Sequence, residues 1–155
     1  MPSKTSRAVR LARRLGGHYA RLAARRLPSI SARDDFTRFL IVGKGRSGTN
    51  FLRLLLDDHP GVVAYGELFR DYDRADGGIP MPLQSERARR QKRVDPIGFI
   101  DDVVFGPMPR RVAAVGFKLF HYHARQPEWE VVWDHLGTDP RVRVLLVVRR
   151  NDLAT

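Results

Sequence analysis

The sequence predicts an α/β domain with a parallel sheet, and three stretches of the chain support that prediction. Residues 39–56 run from an apolar strand through a glycine-rich turn into a helix with apolar side chains at helical spacing. Residues 111–120 and 142–148 form two further apolar runs, and a helical segment at 127–136 separates them. Two buried strands that are joined through a helix indicate parallel pairing with a right-handed crossover.

The remaining elements follow from local signals. Proline and glycine within 57–61 end the first helix, because neither residue continues a helix. Residues 71–95 show no apolar periodicity and are expected to form a long loop or lid with at most a short helix. The predicted elements are strands at 37–42, 62–65, 111–120 and 142–148, and helices at 49–57, from Asp95 to Gly106, and at 127–136, the last closed by Gly137.

The 155 residues divide into a basic arm, 1–35, and one domain, 36–155. Nine of the 28 basic residues and none of the 17 acidic residues lie within 1–33, so the rest of the chain is close to neutral. The arm is expected to be partly helical. Its basic, acid-free composition suits peripheral contact with an anionic membrane surface. Two alternatives for the arm remain open, a transit-like leader and a plain solvated extension. Binding to a specific nucleic acid is not expected.

Composition excludes several classes of site. There is no cysteine, so disulfides, thiolate zinc sites and cysteine nucleophiles are ruled out. No apolar run approaches the roughly 18 residues that span a bilayer, and no secretory signal is recognisable. The protein is therefore expected to be cytoplasmic, with at most a peripheral membrane contact.

The turn after the first strand is the most informative stretch for function. It reads Gly43-Lys44-Gly45-Arg46-Ser47-Gly48-Thr49-Asn50. A glycine-rich turn that leads from a strand into a helix directs backbone N–H groups and the positive end of the helix dipole at one place. This arrangement predicts a phosphate-binding site.

Two general nucleotide motifs fit the turn in part. Gly43 and Gly48 have the spacing of a Walker A loop, but the two positions after Gly48 lack its Lys-Ser/Thr pair, so hydrolysis of ATP or GTP is not expected. Gly43, Gly45 and Gly48 also match the dinucleotide fingerprint, and Glu67 follows about where a ribose-binding acid is expected. An NAD(P)-binding oxidoreductase domain therefore stays open as an alternative.

Four patches of the chain, in this order, resemble the sulfotransferases that use 3′-phosphoadenosine 5′-phosphosulfate. They are Arg46–Leu52, which is similar to the family's 5′-phosphosulfate loop, then His59-Pro60 with Gly66-Glu67-Leu68, then Gly116–Phe120, and finally Val147–Leu153. The Gly-Glu-Leu and Gly-Phe-Lys patches look most like the bacterial carbohydrate branch, which includes nodulation-factor and trehalose-type enzymes. The resemblance implies a P-loop-like three-layer domain that transfers a sulfuryl group to a hydroxyl, with a carbohydrate as the expected acceptor.

The resemblance also implies roles for individual residues. The implied donor-binding residues are Gly45, Arg46, Ser47, Gly48, Thr49, Asn50 and Arg150, with Arg150 on the 3′-phosphate. Arg46 and Lys118 are expected to stabilise the charge that builds on the leaving group. Glu67 is the expected general base, with His121 and His123 as alternatives. No metal is expected, because fixed cations would do the work that Mg²⁺ does in kinases.

The sequence also differs from the family's pattern at several positions. Phe120 stands where better-known members have a histidine after the lysine, and Asn50 replaces a second loop hydroxyl. The family's 3′-phosphate serine would fall just past Thr155, so the domain is expected to be truncated at its C-terminus. The 155-residue chain alone could then be an inactive fragment or a nucleotide-binding module.

Overall fold

A computed structural model describes residues 32–70 and 81–150, and the structural statements below concern those ranges. The predicted arm lies outside the described residues except for 32–35. The strands are β1 (Ala32–Arg33), β2 (Thr37–Gly43), β3 (Val62–Glu67), β4 (Met108–Pro109), β5 (Ala114–Lys118) and β6 (Val142–Val147). The helices are α1 (Thr49–Asp58), α2 (Glu86–Val94), α3 (Pro96–Gly98), which continues as a π-helical segment over Phe99–Val104, and α4 (Val131–Thr138), with short 3₁₀ turns at Met81–Gln84 and Pro127–Trp129. Within these ranges no helix has the length and apolar content that crossing a membrane requires.

The main sheet confirms the predicted α/β class. It has the strand order β3-β5-β2-β6, and every neighbouring pair is parallel. A separate antiparallel ribbon joins β1 to β4. Because β5 lies between β2 and β3, the two strands that flank α1 are not neighbours.

Helices cover both faces of this sheet. On one face, Leu52 and Leu56 of α1 pack against Phe39, Ile41 and Ala64. The opposite face carries the larger core, where side chains from β2, β3 and β5 pack against α2, the α3 segment and α4. In this larger core the Phe69 ring contacts three other aromatic rings, those of Phe99, Phe117 and Trp129.

Helix α1 buries a polar stripe as well as an apolar one. Arg53 donates from Nη1 to the carbonyl of Ala64 at 3.2 Å, and Asp57 Oδ1 accepts from the Ala64 N–H at 3.1 Å. Since β3 is an edge strand, these side chains occupy backbone groups that a further strand could otherwise pair with. Of the apolar side chains that predicted this helix, those of Phe51, Leu54 and Leu55 are exposed.

The prediction that the strand at 142–148 is buried is wrong. β6 is the other edge of the sheet, and Val144, Leu146 and Val148 are 59%, 66% and 70% exposed. Val142 packs against the larger core and Val147 against the smaller one. An apolar run looks the same in a central strand and in an edge strand, so composition could not separate the two cases.

Three boundaries also differ from the prediction. Within the stretch 71–95, expected to be a long loop or lid with at most a short helix, residues 86–94 form a nine-residue helix, and the Ser85 hydroxyl caps it by accepting from the Ala88 N–H at 3.2 Å. Strand β5 covers 114–118 only, within the predicted 111–120. Gly137 lies inside α4, which continues to Thr138, so it does not close the helix.

Lys92 on α2 is a half-buried cation. Its Nζ donates to the carbonyl of Leu68 at 2.9 Å and lies 5.1 Å from the centroid of the Trp129 ring. Burial, and to a smaller extent the neighbouring charges of Arg89 and Arg93, lower the pKa of Lys92 from 10.5 to about 8. The folded protein therefore holds this ammonium at a cost to its stability.

We expect the Lys92→Met variant to change how stability depends on pH. Between about pH 8 and 10.5 the unfolded chain binds this proton and the folded chain does not, so Lys92 makes stability rise with pH across that window. The Tm of the wild type minus that of Lys92→Met should increase by several degrees from pH 7.5 to 10.5, as measured by circular dichroism. Arg90→Met, an exposed position on the same helix, is the control and should show no such trend. If the Tm difference between the wild type and Lys92→Met did not change with pH, the lowered pKa of Lys92 would be contradicted.

Candidate functional site

The turn between β2 and α1 is held in one tight conformation. Ser47 donates to the carbonyl of Lys44 twice, from its N–H at 3.3 Å and from its hydroxyl at 2.6 Å. Arg46 has a φ of 62° and Gly48 a φ of 96°, both in the left-handed region. For a residue with a Cβ this conformation costs roughly 1–2 kcal/mol, so Arg46 stores strain in the turn.

The N-terminus of α1 begins directly after this turn. Gly48 is the N-cap, and no side chain caps the helix. The first N–H groups of an α-helix have no partner within the helix and carry the positive end of its dipole. A Cβ at Gly43 would lie 3.0 Å from both the Thr49 methyl and the Val147 carbonyl, so glycine is what lets β2 end this close to α1. The geometry suits an anion.

A cleft of about 610 Å³ lies over the turn. It is lined by the turn itself, the end of β6 and the exposed His121. Arg149 also lines it and donates from Nη1 to the Arg46 carbonyl at 3.4 Å. The next residue, Arg150, is exposed and is not part of this lining. This place, at the carboxyl ends of parallel strands, is where open α/β sheets bind ligands.

Lys118 at the end of β5 connects three elements. Its side chain is only 1% exposed, and Nζ donates to Asn50 Oδ1 and to Glu67 Oε1, both at 2.7 Å. The ammonium also lies 5.0 Å from the centroid of the Phe120 ring. Ammonium groups carry three N–H donors, and these two hydrogen bonds use two of them. Lys118 thus places a buried positive charge next to the N-terminus of α1.

A β-bulge aims Glu67 at Lys118. In the pairing of β3 with β5 the register shifts between Tyr65 and Glu67, so that Glu67 lies opposite Lys118. Bulges of this kind redirect a side chain at the end of a strand. The Glu67 side chain is 10% exposed, and its second oxygen, Oε2, lies 3.4 Å from Arg70 Nη1 and 3.6 Å from His123 Nε2.

The backbone of Phe120 orients the His123 ring. Its Nδ1 accepts from the Phe120 N–H at 3.2 Å, so in the neutral ring the proton is on Nε2, which faces Glu67. The imidazole stacks on Phe120 and is buried. His123 is therefore a partner of the carboxylate, whereas His121 faces the cleft over the turn.

The structure brings most of the predicted site residues together. Asn50, Glu67 and Lys118 form one hydrogen-bonded group beside the turn that holds Gly45, Arg46, Ser47 and Gly48. The side chain of Thr49 is buried against Gly43, and the Ser47 hydroxyl is engaged within the turn. Sequence reasoning missed Arg70, although it stands three residues after Glu67, and it assigned a role to Arg150 but not to the neighbouring Arg149.

Among the described residues, no group of three or more His, Asp or Glu side chains is arranged to hold a metal ion. The cations at this site are side chains of Lys and Arg.

Comparison with protein-family models, with curated proteins and with solved structures finds no match to this chain.

Proposed function

We propose that residues 36–155 form a P-loop-like sulfotransferase domain that uses 3′-phosphoadenosine 5′-phosphosulfate and a hydroxyl acceptor, with a carbohydrate as the expected acceptor. The observation that carries the proposal is the buried Lys118, which contacts both Asn50 at the start of α1 and Glu67 at the end of β3. A fixed cation and a carboxylate beside an anion-binding turn are what transfer of a charged group requires.

The strand order supports this reading over the dinucleotide alternative. In a dinucleotide-binding sheet the second strand of the βαβ unit lies directly beside the first, and its terminal acid binds the ribose. Here β5 lies between β2 and β3, and the Glu67 carboxylate accepts from Lys118. The match of Gly43, Gly45 and Gly48 to the dinucleotide fingerprint would then be coincidental, because a phosphate-binding turn is rich in glycine in either case.

The donor-binding roles follow from the turn and the cleft. The N–H groups at the start of α1, with Ser47 and Asn50 nearby, suit the 5′-phosphate, since helix N-termini bind phosphate. Arg46 lines the cleft and would contact the phosphate–sulfate bridge. Arg150, with Arg149 beside it, would bind the 3′-phosphate through a bidentate guanidinium contact.

The chemistry would use Lys118 and Glu67 as a pair. The donor supplies a sulfuryl group: the acceptor oxygen bonds to sulfur, the bond from sulfur to the 5′-phosphate oxygen breaks, and the electron pair stays on the phosphate. Lys118 would stabilise that developing negative charge with its remaining N–H donor. Glu67 would take the proton of the acceptor hydroxyl, and His123 and Arg70 would hold its second oxygen in position.

Isothermal titration calorimetry with adenosine 3′,5′-bisphosphate and with NAD tests the proposal. We expect the bisphosphate to bind and NAD to show no binding at the same concentrations. Arg46→Ala should weaken bisphosphate binding by about tenfold or more, because a charge-assisted contact to phosphate is lost. Arg87→Ala, an exposed position on α2, is the matched control and should leave Kd unchanged.

NAD binding without bisphosphate binding would overturn the sulfotransferase proposal in favour of the dinucleotide alternative. A chain that binds the bisphosphate but transfers no sulfate to any hydroxyl compound would instead be a nucleotide-binding module.

A further inference from the structure

A second cavity, of about 260 Å³, lies next to the cleft along the chain at residues 121–123. His121 faces the cleft over the turn, while the next residues, Tyr122 and His123, line the second cavity. Tyr122 also reaches the turn, since its hydroxyl would lie 3.2 Å from a Cβ at Gly45. Burial, and then the charge of Glu67, raise the pKa of Tyr122. The residues at 121–123 therefore separate two adjoining spaces.

The Glu67 carboxylate lines neither space, but its two oxygens contact side chains toward each of them. Its Oε1 accepts from Lys118, on the side of the anion-binding turn, at 2.7 Å. Its Oε2 faces Arg70 and His123, and both of these residues line the second cavity. A base that serves the reaction must stand between the donor and the acceptor, and the contacts of Glu67 with Lys118 on one side and with Arg70 and His123 on the other suit that role.

The second cavity has the chemistry of a site for a small anionic compound. Two arginines, Arg70 and Arg125, line it together with Gln126, and among its described lining residues no side chain is acidic. Arg125 is held in place because Nε and Nη2 both donate to the His121 carbonyl, at 2.9 and 2.7 Å, and neither bond uses Nη1. The half-exposed ring of Tyr122 adds an apolar surface.

The volume limits what this cavity can hold. Pockets for drug-sized ligands measure roughly 300–1,000 Å³, so a space of about 260 Å³ suits one ring-sized unit. Guanidinium groups bind carboxylates in a bidentate manner, and a flat aromatic surface suits the apolar face of a sugar ring.

We propose that this second cavity is the acceptor subsite and that it selects a sugar unit carrying a carboxylate, through Arg125 and Arg70. This inference rests on the proposed function, because it makes the cavity the acceptor side of the same reaction. The sugar hydroxyl would be presented to Glu67, while the carboxylate would be bound by Arg125.

The test compares two probes that differ in one group, methyl β-D-glucuronide and methyl β-D-glucoside. Their binding to the full chain is measured by saturation-transfer NMR titration, with and without saturating adenosine 3′,5′-bisphosphate. We expect the glucuronide to bind about tenfold more tightly than the glucoside, as expected for one charge-assisted contact. The bisphosphate should not displace it.

Variants of the two arginines test whether the preference for the glucuronide arises in the second cavity. Arg125→Gln should abolish the preference for the glucuronide while the Kd for the bisphosphate stays within about twofold, and Arg125→Lys should restore part of it. Arg87→Gln is the control for removing a distant arginine. Arg70→Gln provides a second variant should Arg125→Gln fail to fold.

The outcomes separate this inference from the proposed function. Equal binding of the two glycosides, a preference that survives both Arg125→Gln and Arg70→Gln, or displacement of the glucuronide by the bisphosphate would overturn the acceptor assignment. If the bisphosphate binds and the glycosides do not differ, only this inference fails. If the glucuronide preference follows Arg125 but the bisphosphate does not bind, the cavity remains a carboxylate site and the proposed donor is wrong.

Discussion

Glu67→Gln should lower the kcat of sulfate transfer by about 100-fold or more, while the Kd for adenosine 3′,5′-bisphosphate stays close to that of the wild type. Proton transfer by a positioned side chain contributes about 10²–10⁴-fold to a rate, and glutamine retains the shape of the side chain but cannot accept the proton. The measurement is initial-rate transfer to a hydroxyl acceptor, with calorimetry for the bisphosphate. Glu130→Gln, at an exposed glutamate before α4, is the matched control.

A structural role must be separated from a catalytic one, because Glu67 also pairs with a buried ammonium. Removing one partner of a buried ion pair costs about 3–5 kcal/mol, so Glu67→Gln and Lys118→Met should each lower the free energy of unfolding. Glu67→Gln/Lys118→Met leaves neither charge unpaired and should recover much of that stability. Its kcat should stay low. Recovery of turnover along with stability would show that the pair only supports the fold.

Gly116→Ala should destabilise the protein by about 3 kcal/mol, which corresponds to a fall in Tm of about 10 °C. Gly116 on β5 lies beside Phe39 on β2, and a Cβ at this position would overlap with both the Phe39 carbonyl and its ring. The ring cannot move away easily, because it packs between α1 and the sheet in the smaller core. Chemical denaturation measures the free energy of unfolding directly.

Gly137→Ala, by contrast, should stabilise the protein. A Cβ there has no atom within 4 Å, and the residue lies inside α4, where alanine is better than glycine by about 0.5–1 kcal/mol. A tolerated Gly116→Ala would mean that Phe39 and β5 are not packed as described. A destabilising Gly137→Ala would place the end of α4 elsewhere.

Much of the site could be predicted from sequence because its signals are local. The apolar run of β2, the glycines of the turn and the helix that follows occupy adjacent positions, so their order alone predicts a strand, an anion-binding turn and a helix. The parallel sheet followed from two apolar runs joined through a helix, because chirality leaves that connection few alternatives. Glu67 and Lys118 were singled out through the family resemblance, and in the structure Glu67 ends β3 and Lys118 ends β5.

Other features depended on which strands became neighbours, and no local pattern records that choice. The sequence by itself determined the turn, the α/β class and the identity of the charged residues. Only the tertiary structure decided that β5 lies between β2 and β3, which brings Lys118 within 2.7 Å of both Asn50 and Glu67. It also made β6 an edge, left its apolar side chains exposed, and turned His123 toward Glu67. The physical reason is that these pairings join residues far apart in the chain, and their free energy comes from burial and from ion pairs that exist only once the sheet has assembled.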